Sequence, residues 1–106
     1  MVGFILVLTT VPDAKTGEKL ARTLVEERLA ACVTLSPAAQ SFYRWKGKLC
    51  AESERVLLIK TQAALFERLE ARIKTLHPYQ VPEIISLPIE RGSKAYLAWL
   101  GEVTKV

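Results

Sequence analysis

Three segments of this sequence are apolar at nearly every position, at residues 4–10, 56–61 and 84–89. A strand points alternate side chains to opposite faces of its sheet. A strand that is apolar on both faces is therefore typical of a sheet covered on both sides. The chain must fold so that two layers, one on each face, keep these strands away from water.

Helical patterns lie between and after these segments. The first begins after Asp13, the predicted N-cap, and repeats apolar residues at helical spacing to Leu29. The second ends before Pro78, and Ser93 caps a short third helix. Residues 31–45 favour strands again, and Gly47 marks a turn. The order predicts one α+β domain over residues 1–106: a ferredoxin-like split βαβ sandwich, βαββαβ plus a C-terminal helix, with an antiparallel sheet.

In such a sandwich the helices cover one face of the sheet, and the apolar second face then needs another cover. Further copies of the same chain are the expected cover, because soluble oligomers are usually closed and symmetric. The alternative is a monomer whose C-terminal segment folds back over the sheet.

Composition limits the classes of function. The net charge is +4, with fifteen basic and eleven acidic residues interspersed, which permits nucleic acid as a partner without requiring it. No apolar run approaches the roughly 20 residues that cross a bilayer, so we expect no membrane partner. The two cysteines stand in no metal-binding spacing and suit a reducing cytoplasm. Asparagine is absent and glutamine occurs three times, which favours a hot source.

His77, Cys32 and Glu83 are candidate metal ligands. His77 is the chain's one histidine and stands just before a proline, where it could bind a metal or simply meet the carbonyl end of a helix. Cys32 could be a thiolate ligand or a small buried side chain. Glu83 opens an apolar strand and could equally be a solvated strand end. One chain supplies too few soft ligands for Cu(I), so subunits would have to share a site.

The segment YRWKGK at 43–48 interleaves aromatic and basic residues. It could stack bases and touch phosphates, or form a hairpin that ends at Gly47. The strands at 4–10 and 56–61 carry one aromatic residue between them, which counts against RNA binding by a sheet of this type. We therefore expect no nucleic-acid partner. Lys60 stands in an apolar strand and needs a partner. No GxGxxG, Walker, HExxH or nucleophilic triad pattern is present, so we predict no enzyme.

Six stretches resemble the CutA divalent-cation-tolerance family, in the same order along the chain. They are TTVPD at 9–13, ERLAACVTL at 27–35, YRWKGKL at 43–49, LLIKT at 57–61, HPYQVPEIISLPI at 77–89 and YLAWL at 96–100.

The resemblance implies a trimer of ferredoxin-like subunits, similar to the PII signalling proteins, with strand extensions that lock neighbouring chains. It also implies tolerance of divalent metals, copper above all, and a cytoplasmic location. The segment HPYQVPE would line a cleft between subunits. The residues expected to contact ligand are then His77, Tyr79, Glu83, Lys60, Trp45 and Cys32. A rival reading is a PII-like sensor of a small anionic metabolite or nucleotide, with Lys60 as its contact.

Overall fold

The structure is a computed structural model that describes residues 3–106. The elements are β1 (Phe4–Val11), α1 (Ala14–Glu26), β2 (Cys32–Leu35), β3 (Ala39–Trp45), β4 (Lys48–Gln62), α2 (Phe66–Leu76), β5 (Ile85–Ile89) and α3 (Lys94–Val103). A single 3₁₀ turn, Ala63–Leu65, leads into α2. The predicted order of strands and helices is confirmed, except that the predicted strand region 31–45 forms two strands, β2 and β3, separated at residues 36–38.

All strand pairs are antiparallel, and the sheet order is β2-β4-β1-β5. β1 is central, so that Leu8 pairs with Leu58 on one side and Ile85 on the other. β4 is long because its second half belongs to this sheet while its first half pairs with β3. The topology confirms the ferredoxin-like sandwich.

We call the side of the sheet under α1 and α2 the helix face. Asp13 caps α1 as predicted, since its carboxylate accepts a hydrogen bond from the Thr16 N–H at 2.8 Å. The helix-face core consists mainly of Ile5, Val7, Leu57 and Ile59 from the strands and Leu20, Leu24, Leu69 and Ile73 from the helices. Each such side chain contributes roughly 1.5–3 kcal/mol by leaving water, so this face contains the main hydrophobic core of the described chain.

We call the opposite side the second face. Its strand residues include Phe4, Leu6, Leu8, Leu58, Lys60, Gln62, Ile85 and Leu87.

α3 covers one end of the second face, which corrects the expectation that all helices share one side. The Gln62 side chain donates to the Gly101 carbonyl at 3.2 Å and to the Thr104 hydroxyl at 2.7 Å. Ser93 caps the helix as predicted, accepting from the Tyr96 N–H at 3.1 Å. The C-terminal segment therefore does fold back over the sheet, and its hydrogen bonds with the Gln62 side chain hold it there. Outside the area that α3 covers, Ile85 and Leu87 remain 50% and 46% exposed.

β3 and the first half of β4 form the predicted hairpin. Its turn residues Lys46 and Gly47 both have positive φ, 50° and 79°, which suits the twist of a two-residue hairpin loop. The described part of the chain measures 44 × 25 × 24 Å. Among residues 3–106 no helix has the length and apolar character needed to cross a membrane.

Candidate functional site

A cleft of about 660 Å³ opens between the length of this hairpin and the loop at 77–84. We call it the hairpin cleft. Its lining includes the aromatic residues Tyr43, Trp45 and Tyr79, the carboxylates Glu54 and Glu83, and Thr10 of β1. Two elements far apart in sequence therefore build one concave surface.

His77 holds the loop in place. Its N–H donates to the Ile73 carbonyl at 2.8 Å and so ends α2. The imidazole is buried, with the Tyr79 N–H donating to Nδ1 at 3.1 Å and Nε2 lying 2.7 Å from the Thr10 carbonyl. A backbone N–H can only donate and a carbonyl can only accept, so Nε2 carries the hydrogen. The ring ties the loop to the end of β1.

These contacts bear on the prediction that His77 binds a metal. Coordination needs a free lone pair on a ring nitrogen, and both nitrogens are engaged in hydrogen bonds within the chain. A metal could reach His77 only by displacing Thr10 or the Tyr79 N–H. The arrangement matches the structural reading of this histidine, and its role as a ligand stays a prediction.

Glu54 is a site residue that the sequence reading missed. Its side chain lies at the base of the hairpin, 6% exposed, and accepts a hydrogen bond from the Tyr79 hydroxyl at 2.7 Å. The stretch AESERV looks like a solvated strand, which hid it. The available signal was position, because Glu54 shares a strand face with Val56 and Leu58.

The cleft stabilises neutral phenols. Burial, followed by the hydrogen bond to Glu54 and the charge of Glu54, raises the pKa of Tyr79 well above its usual range. Burial and then the charge of Glu52 raise the pKa of Tyr43. In each case the charges that act on the phenol are negative ones. The cleft therefore disfavours additional negative charge.

Cys32 and Lys60 lie outside the hairpin cleft. They pair with each other across β2 and β4, on the second face. The Lys60 ammonium sits 5.7 Å from the centre of the Tyr96 ring, a cation–π contact that supplies the partner this lysine was expected to need. Of the six residues predicted to contact ligand, Trp45, Tyr79 and Glu83 line the cleft and His77 supports it. Cys32 and Lys60 lie on the second face, outside the cleft, and Lys60 contacts α3 through Tyr96.

The predicted metal ligands do not form a site within one chain. Across residues 3–106, no three side chains of the His, Cys, Asp or Glu type lie close enough together to hold an ion. Cys32 lies on the second face and Glu83 lines the cleft. Both ring nitrogens of His77 form hydrogen bonds with backbone groups. A single subunit thus does not fit a metal through these residues.

Known proteins resemble this chain over nearly its full length. The family described as CutA1 divalent ion tolerance protein matches residues 5–103. A divalent-cation tolerance protein CutA from Thermus thermophilus is 50% identical over 99 residues, covering 93% of this chain and 96% of that protein. A chloroplastic CutA protein from Arabidopsis thaliana is 46% identical over 101 residues. That match covers 95% of this chain and 56% of the plant protein.

A solved structure agrees with the fold. The divalent cation tolerance protein from Thermus thermophilus superposes with a TM-score of 0.94 at 48% identity, covering 96% of this chain and 99% of that one. The matched fold, the family match and the identity of the relatives concur. The chain belongs to the CutA1 divalent ion tolerance family.

Proposed function

We propose that the chain works as a homotrimer that binds a divalent cation, copper in the first place, in clefts between its subunits, and that it catalyses no reaction. The observation that carries the proposal is the uncovered part of the second face, where Ile85 and Leu87 are about half exposed on an ordered strand. Contiguous apolar surface of this kind marks an interaction site. The family description supplies the link to divalent ions.

The hairpin supports the same assembly. Phe42 and Leu49 are 67% and 73% exposed on one of its faces. A two-stranded hairpin is marginally stable alone, so this one needs a neighbouring surface. A second copy offers such a surface in its own open sheet face, and a closed ring of copies satisfies every subunit equally. The number three comes from the family resemblance.

Light scattering tests the assembly. We expect the wild-type protein to have three times the mass of one chain. Leu87→Glu places a charge on the second face and should yield smaller species, whereas Ala71→Glu, on an exposed position of α2, should leave the mass unchanged. A well-folded wild-type monomer at micromolar concentration would contradict the proposal.

Metal binding requires ligands from more than one subunit, because one chain does not bring its candidate ligands together. Calorimetric titration with Cu²⁺ should show a saturable site on the assembled protein. Glu83→Gln, Cys32→Ser and His77→Ala should each weaken it, with Cys50→Ser as the matched thiol control. A site that survives all three changes, or no site at all, would end the assignment of these ligands.

The anion-sensing alternative is less well supported. It expects a basic residue in the ligand cleft, and Lys60 instead lies over Tyr96. The hairpin cleft contains Glu54 and Glu83. Anion binding would need a basic side chain from a neighbouring copy. Titration with a nucleotide or a small carboxylate, compared with Lys60→Ala, distinguishes this alternative from the metal proposal.

Two expectations concern the protein's setting. We propose a cytoplasmic location, because Cys32 and Cys50 are both free and partly exposed, as suits a reducing compartment. We also propose a heat-adapted source. Fractionation of the source cells checks the first. For the second, we expect a melting temperature above the roughly 45–65 °C of ordinary mesophilic domains.

A further inference from the structure

Glu54 has a buried carboxyl group that forms no ion pair within residues 3–106. It is 6% exposed, and its partner is the neutral Tyr79 hydroxyl. The ion pairs found within residues 3–106 join Arg72 to Glu27 and Lys74 to Glu70, so neither involves Glu54. A buried carboxylate without a cation is costly. The position of Glu54 therefore favours a positive group in the cleft.

The aromatic wall of the cleft also favours a cation. Tyr43 and Trp45 stand on the same strand face as Glu54, and Tyr43 is the nearer: Glu54 pairs with Ala39, so Tyr43 lies four residues and Trp45 six residues further along β3. They are 40% and 43% exposed, so their rings are accessible from the cleft. The face of an aromatic ring is negative and attracts cations, most strongly for tryptophan.

The remaining polar groups narrow the ligand class. Glu83 adds a second carboxylate and Ser41 a hydroxyl, while none of the described lining residues is basic. Carboxylate oxygens accept hydrogen bonds and cannot donate them. A cation with N–H groups would satisfy them, whereas a quaternary ammonium would leave them unpaired.

We propose that the hairpin cleft binds a positively charged nitrogen group that carries N–H bonds, a guanidinium or a primary ammonium. Glu54 accepts its hydrogen bonds, and the rest of the ligand lies along the cleft against Tyr43 and towards Trp45. The group can belong to a free small molecule or to an arginine or lysine side chain of a second copy. The inference goes beyond metal binding and does not depend on it.

Titration of the assembled protein in EDTA-containing buffer tests the free-ligand source. The probes are n-butylguanidinium, n-butylammonium and, as the anion of matched size, butyrate. Calorimetry and tryptophan fluorescence should show saturable binding of the cations and none of butyrate. Glu54→Gln, which keeps the shape and removes the charge, should weaken binding about tenfold or more, as loss of a charged hydrogen bond predicts. Glu18→Gln, an exposed carboxylate on α1, is the control.

The second-copy source has a different signature. The cations then fail to bind because the site is filled, and Glu54→Gln raises the dissociation constant of the assembly about tenfold while Glu18→Gln does not. Equal binding of butyrate and the cations overturns the proposal. So does cation binding that Glu54→Gln leaves unchanged, or an absence of both cation binding and any effect of Glu54→Gln on assembly. The wild-type comparison of cation with anion stands even if the variant misfolds. Because EDTA removes metal, a failure here is separate from a failure of the copper titration.

Discussion

Leu57 and Leu58 are adjacent on β4, yet they lie in different surroundings. Leu57 is fully buried under α1 and α2, while Leu58 lies on the second face and is partly exposed. The two positions have the same side chain, strand and hydrogen-bond ladder. What differs is the layer above them. Burial in this sheet is decided by the covering layer and not by residue type.

The second face itself has distinct regions. α3 covers the end near Gln62. Ile85 and Leu87 remain open on the edge strand β5, and the hairpin cleft begins near Thr10. The helix face has no such division, because two helices span it. The closed face supplies stability, and the open face supplies the surfaces on which partners and ligands can act.

The largest expected effect separates the two leucines. Leu57→Ala should cost about 2–5 kcal/mol of unfolding free energy, because a cavity is left in a closed core. Leu58→Ala should lower the unfolding free energy of the dissociated chain much less than Leu57→Ala does. Its cost should grow at protein concentrations where the chains associate, because association buries Leu58. Denaturant unfolding over a range of protein concentrations measures both. Equal costs in the dissociated chain would mean that the second face is already closed without partners.

A smaller effect tests the cleft. Tyr79→Phe removes a hydrogen bond to a carboxylate and should cost about 1.5–3 kcal/mol at neutral pH. The raised pKa of Tyr79 means that the folded state keeps the phenol neutral when the unfolded state ionises it. The advantage of wild type over the variant is therefore fully present below about pH 10 and is lost as the pH rises further.

Unfolding curves of both proteins from pH 8 to pH 11 measure this difference. A gap that stays constant or widens above the ordinary tyrosine pKa would contradict the assigned bond. Loss of the Tyr79–Glu54 hydrogen bond should leave the helix face intact. The control is therefore a helical circular dichroism signal of Tyr79→Phe that stays close to that of wild type.

The next effect concerns the helix on the second face. Ser93→Ala removes the cap of α3 and should cost about 1 kcal/mol. Ser53→Ala, at an exposed position of the hairpin, is the matched control. Thermal unfolding should show a lower midpoint for the first variant only. If both midpoints match wild type, α3 contributes little to covering this face.

The smallest effect lies at the edge of the helix face. Arg28 lies two residues after the end of α1 with φ of 60°, a conformation that costs a residue with a side chain about 1–2 kcal/mol. Arg28→Gly relieves that cost but loses about 0.5–1 kcal/mol to backbone entropy. We expect a net stabilisation of about 0.5 kcal/mol with no change in association. A destabilised variant would show that the Arg28 side chain makes contacts of greater value.

Local patterns predicted the elements well. Asp13, Ser93 and Gly47 each act as their residue type and position indicated, because capping and turn geometry depend on a few neighbouring residues. The site was harder to predict. Tyr79 and Glu54 are 25 residues apart, and His77 and Thr10 are 67 apart. No periodicity connects such pairs.

By itself the sequence determined that the sheet is apolar on both faces, that its strands and helices follow in this order, and that a histidine, a tyrosine and a glutamate share one loop. The tertiary structure alone decided which face α3 covers, that His77 gives both nitrogens to the backbone, and that Glu54 lies buried beside Tyr79. The physical reason is range. Side-chain alternation and caps are set within a few residues, whereas burial and charge at a site depend on segments that meet only in the folded chain.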